Sequence, residues 1–274
     1  MKYSIYRFIN HYFPAKLFNL YGLRTIFFII STLPLYAIFD ILHKQLKDPI
    51  RVWGLKLYVP TILFTPNAHL LISRFDLSIL AFIAEIYLEE AYRKLPDYTP
   101  RHGDVIVDAG AYAGLYTLYV VDRKPKLIIA MEPDPRNFKI LTTTLKVNRL
   151  RNVIAIPYAL AGENGYQQFQ LSNKAFTSCL TCSGVGKTIE VKGVSLITLM
   201  QLYQVNQIDL LKLDVEGAEF GIISSSDNLL REGRVRRIVG EIHGKRRDVD
   251  WFVNRLESLG FNIEYLHRFK YTAL

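Results

Sequence analysis

Residues 104–134, DVIVDAGAYAGLYTLYVVDRKPKLIIAMEPD, restrict the fold more than any other stretch of the chain. Val105, Ile106 and Val107 form a short apolar run between Asp104 and Asp108, the pattern of a strand buried on both faces. The loop Asp108-Ala-Gly-Ala-Tyr-Ala-Gly114 follows, and a helical pattern spans 115–121. A second apolar run over 127–131 ends at Glu132-Pro133-Asp134. Strand, glycine loop, helix, strand and an acid about 20 residues on make a nucleotide-binding βαβ unit.

Two ligand classes compete for that layout. A dinucleotide needs three loop glycines, so that a helix N-terminus can receive the pyrophosphate. Here Gly110 and Gly114 stand four apart, with Tyr112 where the second glycine of that fingerprint belongs. S-adenosylmethionine has no phosphate and does not need that approach. It does need an acid near its sulfonium and amino groups, for which Asp108 stands as candidate. Glu132, followed by Pro133 at the tip of the next strand, is placed to accept hydrogen bonds from two ribose hydroxyls. The competing view is a glycine turn with no ligand.

With 274 residues the chain holds one large α/β domain and an N-terminal extension, divided near residues 97 and 98. Two cysteines make no disulfide framework, so a reducing cytoplasm is expected. A formal charge of +9 invites an anionic partner without choosing one. The extension opens with Tyr3, Tyr6, Phe8, Tyr12 and Phe13 among Lys2, Arg7 and Lys16. Residues 25–39, TIFFIISTLPLYAIF, are apolar but shorter than the ~20 residues of a spanning helix, and Pro34 interrupts them. A helix packed on the domain or in a homodimer, and one lying at a membrane interface through residues 1–45, are both open readings. Residues 55–65 predict a short hairpin, and 76–95 a helix capped by Asp76 and ended by Pro96.

Beyond Glu132, Pro135 opens a helix that runs to Val147, and 153–156 form a third strand. The residues just after that strand, Ala159 among them, are expected to flank the adenine. Residues 166–171 and 187–194 read as an accessory hairpin. The loop between them holds three motifs that mislead. Gly186-Lys187-Thr188 precedes a strand rather than a helix, which excludes a phosphate-binding loop. Cys179 and Cys182 have no second pair to complete a zinc site, and Cys182 follows no core strand as a cytosine-methylating nucleophile would.

The second informative block is Ile208-Asp-Leu-Leu-Lys-Leu-Asp-Val-Glu-Gly-Ala-Glu219. Residues 210–213 make a fourth strand, which delivers Asp214 and Glu216, with Glu219 on the following helical turn, to the rim that carries Asp108 and Glu132. Helix capping and structural ion pairs are the competing view of these carboxylates. Residues 236–242 are the fifth strand, with Glu241 and His243 at its tip, amid a basic region over 231–247. A helix over 248–259 is ended by Gly260, and 261–266 and 268–271 finish the sheet.

Taken together, DVIVDAGAYAG, AMEPDPRNFKILTTTLKVN, Ala159-Leu160, LLKLDVEGAEF and Val239-Gly-Glu241 resemble the FkbM-type methyltransferases over about residues 98–245. Tyr112 departs from that family, where asparagine is commoner. The resemblance implies a Rossmann-like class I methyltransferase sheet, mostly parallel with its last strand antiparallel. It also implies S-adenosylmethionine as cofactor and methylation of a hydroxyl on a glycan, lipid-linked sugar or related small molecule.

A hydroxyl becomes a competent nucleophile when a base removes its proton, and Asp214, Glu216, Glu241 and His243 are the candidates. No metal site is assigned; a divalent cation on the same carboxylates is the alternative way to acidify the hydroxyl. DNA is not an expected partner. An RNA methyltransferase using 231–247, or a non-catalytic cofactor-binding protein at the membrane, are the rival functions. Asp214-Val-Glu-Gly replaces the Asn/Asp-Pro-Pro-aromatic run that usually accompanies methylation of base amino groups.

Overall fold

The computed structural model describes residues 99–171, 180, 187–243 and 246–263, with short strand segments at 3–4, 50–52, 55–57, 61–64, 69–72 and 267–268. The apolar stretch 25–39, the helix expected over 76–95, Cys179 and Cys182 lie outside these residues.

The domain is built on β6 (Val105–Ala109), β7 (Leu127–Met131), β8 (Val153–Ile156), β12 (Leu210–Leu213) and β13 (Ile238–Ile242). These five run parallel in the order β13-β12-β6-β7-β8. The chain leaves β6 toward β7 and β8, then returns to lay β12 on the other flank. The order therefore reverses between β6 and β12, and ligands of open α/β sheets bind outside the carboxyl ends at such a point.

Alternation along the strands assigns the two faces. Val107, Ala109, Ile129, Met131, Leu211 and Leu213 enter the larger core cluster with Ile222, Leu230, Val249 and Phe252. Those last four come from α4 (Glu219–Ser225), α5 (Asp227–Arg231) and α6 (Arg246–Ser258). On the opposite face Ala130 packs with Leu141 and Leu145 of α2 (Pro135–Val147). That face also carries α1 (Leu115–Val121), whose Thr117 reaches Asp108. Pro135 is the first residue of α2, and Asp134 caps it by accepting from Arg136 N.

The accessory hairpin pairs β10 (Gly165–Leu171) with β11 (Lys187–Val194), and β9 (Tyr158–Leu160) adds parallel to β11. Sequence reading missed β9 as a strand, and missed α5 and α3 (Leu196–Leu202). Ser195 signals α3, since its side chain accepts from Thr198 N at the N-cap.

Two expectations need correction. The single hairpin over 55–65 is two hairpins: β2 (Ile50–Val52) with β3 (Leu55–Leu57), and β4 (Thr61–Phe64) with β5 (His69–Ile72). A hairpin needs a connection of at least about two residues, and Pro60 alone separated the runs first paired. Residues 261–263 form no strand, and β14 is His267–Arg268, the remainder of 264–271 lying outside the described residues. The antiparallel neighbour of β13 is β1 (Tyr3–Ser4), a segment of the extension, and β14 pairs antiparallel with β1 in turn.

Candidate active site

The cofactor side begins at the end of β7. Glu132 is buried, and its Oε2 accepts from Tyr112 N at 2.8 Å while Oε1 accepts from Asp134 N at 2.9 Å. Burial pushes its carboxyl up to about 7, against the pull of the Asp134 and Tyr112 amides. Tyr112 is held in the left-handed region, φ 51°. That conformation is strained for tyrosine and mild for asparagine, which accounts for the commoner residue at this place in the resembled family.

The loop glycines are required by close neighbours within the protein. A Cβ on Gly110 would stand 2.0 Å from the Asp214 carbonyl oxygen, and one on Gly114 would stand 2.9 Å from Leu141 Cδ1. The close contacts of both are thus to protein. Gly110 lets the cofactor loop abut the turn that leaves β12, and Asp214 N donates back to Ala109 O at 3.3 Å.

Asp108 is fully buried. Its Oδ2 accepts from Thr117 Oγ1 at 2.7 Å, and its Oδ1 lies 3.4 Å from Lys212 Nζ. The structure therefore turns this carboxylate inward, onto α1 and β12, where the sequence placed it at the loop mouth. Lys212, which sequence reading passed over, is the cross-strand neighbour of Asp108. Its Nζ also lies 3.3 Å from Asp214 Oδ2 and donates to Gly110 O at 2.9 Å. Burial works against its charge, yet the Asp214 and Asp108 carboxylates prevail and hold the ammonium above the usual lysine range.

The turn after β12 carries the acceptor-side candidates. Glu216 is left-handed, φ 54°, and Gly217 follows at φ 106°, which reverses the chain into α4. A non-glycine residue in that region marks stored strain of the kind found at functional sites. Glu219, fully buried, fixes the turn by accepting from Val215 N at 3.2 Å and Gly217 N at 2.9 Å.

From the end of β13, His243 closes the group: Nδ1 lies 2.9 Å from Glu219 Oε1, and Nε2 lies 3.6 Å from Glu216 Oε2 and 3.5 Å from Glu241 Oε2. Burial opposes charge on the ring, but hydrogen bonds to Glu219 and Glu241 outweigh it and push His243 up to about 11. His243 therefore holds its proton at neutral pH. This corrects its candidacy as a base: surrounding carboxylates make it an imidazolium that binds them together.

The structure thus gathers Asp214, Glu216, Glu241 and His243 on one side, and Gly110, Tyr112 and Glu132, with Pro133 beside it, on the other. Ala159 is differently placed. Its methyl group packs with Phe169 and Val191 in the accessory cluster, so its side chain is not presented to a ligand. Asp214, Glu216 and His243 each offer a ligand atom within 4.8 Å of the others, a donor set with the make-up for a divalent cation. With His243 protonated, its imidazolium already supplies positive charge there.

The residues present fit S-adenosylmethionine. Each Glu132 oxygen takes one backbone donor and retains acceptor capacity. Two ribose hydroxyls would add donors to the Asp134 and Tyr112 amides and the Asn137 side chain, and so favour the ionised carboxyl against burial. Glu132 would hold the ribose, with the 110–114 loop beside the remainder of the cofactor.

A family model described as the methyltransferase FkbM domain matches residues 108–272. "Methyltransferase 1" of Beauveria bassiana is 26% identical over 209 residues, covering 65% of this chain and 79% of that protein. "Methyltransferase sdnD" of Sordaria araneosa is 29% identical over 195 residues, covering 58% and 73%. Among solved structures, fibrillarin of Aeropyrum pernix with bound S-adenosyl-L-methionine aligns at TM-score 0.38 and 16% identity, over 65% of this chain and 64% of that one. Trm5b of Pyrococcus abyssi aligns at TM-score 0.39 and 14% identity, over 77% of this chain and 49% of that one. This chain spans about half of Trm5b's length. With the parallel sheet, the loop at its switch point and Glu132 in place, the chain belongs to the FkbM methyltransferase family and is an S-adenosylmethionine-dependent methyltransferase.

Proposed function

We propose that this enzyme methylates a hydroxyl on a glycan, lipid-linked sugar or related small molecule, with Asp214 as the base. The observation that carries this reading is the contact between the two loops. Gly110 of the cofactor loop abuts Asp214, whose side chain remains one-quarter exposed. S-adenosylmethionine, when bound, supplies an electrophilic methyl group on a sulfonium. Asp214 takes the proton of the acceptor hydroxyl, and Lys212 fixes one of its oxygens. Glu216 and Glu241 are placed to accept hydrogen bonds from neighbouring acceptor hydroxyls, the donors a polyol offers. His243 keeps its proton throughout and steadies both.

The basic region over 231–247 supports an RNA acceptor less well. Arg237 is engaged with Asp104 at 2.6 Å, Arg236 with Asp209 at 3.2 Å, and Arg234 donates to Asn206 O at 3.0 Å. Among the described residues no helix is long and apolar enough to cross a membrane. The membrane-interface reading of 25–39 stands as part of this proposal.

Mass spectrometry of a cell extract incubated with the enzyme and isotopically labelled S-adenosylmethionine tests the reading. It calls for label in an O-methyl ether of a small molecule or glycan, insensitive to ribonuclease. Label in RNA or on nitrogen would overturn it. Activity lost with chelator and restored by magnesium or manganese would move deprotonation to a metal on Asp214, Glu216 and His243.

A further inference from the structure

A lysine inside an apolar strand is costly unless its charge is matched, and replacing a buried ion group by apolar residues is often neutral or stabilising. Lys212 is 4% exposed, between Leu211 and Leu213, and three oxygens surround its ammonium. Those oxygens belong to two separate pieces of machinery. The Gly110 carbonyl and Asp108 belong to the cofactor loop and the strand that feeds it; Asp214 opens the acceptor-side turn. The loops touch directly above the ammonium, where any Cβ on Gly110 would strike the Asp214 carbonyl. One buried cation thus sits beneath the seam between donor and acceptor, at the point where the sheet order reverses.

We propose that Lys212 is a positioning residue, a latch that joins the cofactor loop through Gly110 O to the acceptor-side turn through Asp214, so that cofactor binding orders that turn. The idea rests on the reading that Asp214 serves the acceptor. A three-point hold is rigid, because Nζ cannot follow Gly110 without moving relative to Asp214 Oδ2. Ordering of the 110–114 loop by cofactor therefore passes to residues 214–217. By thermodynamic reciprocity, an acceptor seated on the turn strengthens cofactor binding. The demands of methyl transfer explain such an arrangement, since alignment of oxygen, methyl and sulfur supplies much of the rate.

The test is hydrogen–deuterium exchange on the full chain, with and without S-adenosylhomocysteine at a saturation verified by calorimetry. In the wild type the ligand is expected to slow exchange about tenfold or more in both 110–114 and 214–217. The double variant Lys212→Met with Asp108→Asn keeps the net charge of the trio: two carboxylates and one ammonium become a single carboxylate, minus one in each case. It is expected to fold, with protection reaching 110–114 while 214–217 stays within about twofold of its ligand-free rate. Lys212→Met alone, less stable, shows the same uncoupling. A double variant whose 214–217 segment gains wild-type protection would reduce Lys212 to charge balance and overturn the proposal. So would a wild type whose 214–217 segment ignores the ligand. Neither readout involves the acceptor. The base reading fails instead on the turnover of Asp214→Asn, so the two fail separately.

Discussion

His243 Nδ1 lies 2.9 Å from Glu219 Oε1, and that pair joins the end of β13 to the first turn of α4 beneath the acceptor-side carboxylates. The glutamate is fully buried and also holds the backbone of Val215 and Gly217. One ion pair therefore sets the shape of the turn on which Glu216 sits.

His243→Gln leaves Glu219 as a buried charge without its cation, and should lower stability by about 3–5 kcal/mol in urea unfolding. The pH dependence follows from the upward shift, from 6.5 to about 11. The stabilisation is complete below pH 6.5, declines as pH rises, and is gone once pH passes about 11. The melting-temperature gap between wild type and His243→Gln should narrow across that interval. A gap that widens with pH would show a neutral ring.

Glu132 behaves oppositely toward its ligand. Burial raises it from 4.5 to about 7, so folding loses stability as pH climbs between those values, and Glu132→Gln should flatten that slope. Hydroxyl donors favour the ionised form, so S-adenosylhomocysteine should bind more tightly as pH rises through about 7. Calorimetry between pH 5.5 and 8.5 reads this. Glu132→Ala should cost about 1.5–3 kcal/mol of affinity. NAD should not bind, because the loop lacks the second glycine of the dinucleotide fingerprint.

Tyr112→Asn relieves a left-handed tyrosine at φ 51°. Thermal unfolding should show a gain of about 0.5–1 kcal/mol with S-adenosylhomocysteine affinity kept. A loss of affinity would mean that the tyrosine ring itself contacts the cofactor.

For the extension, deleting residues 1–45 would also remove β1, which pairs Ser4 with Glu241. Aspartate at Phe27 and Phe28 is the cleaner change. It should reduce sedimentation with anionic liposomes and spare cofactor binding. Unchanged sedimentation with altered oligomeric state would favour a dimer helix.

The frame of the cofactor side was legible in the sequence, because it is local. A strand, a glycine loop and an acid at the next strand tip fall within residues 104–134, and β6, α1 and β7 sit where the pattern put them. The acceptor half depends on distant partners. Nothing near His243 in sequence reveals that Glu219, 24 positions away, holds it as a cation. Lys212 was visible as a lone charge in Leu-Leu-Lys-Leu, but its meaning lies in Asp108, 104 residues earlier and its neighbour only through strand register. Asp108 was misplaced for the same reason: strand alternation turns it toward α1, a fact of sheet geometry that a loop motif does not express.

The central claim, that Asp214 deprotonates the acceptor beside the cofactor loop, rests most directly on one comparison. Turnover of labelled S-adenosylmethionine on the identified acceptor and affinity for S-adenosylhomocysteine are measured for wild type and Asp214→Asn. The account predicts turnover lower by about 10²–10⁴ with affinity held. Wild-type turnover in Asp214→Asn would contradict it and leave Glu216 and Glu241 as the groups to test.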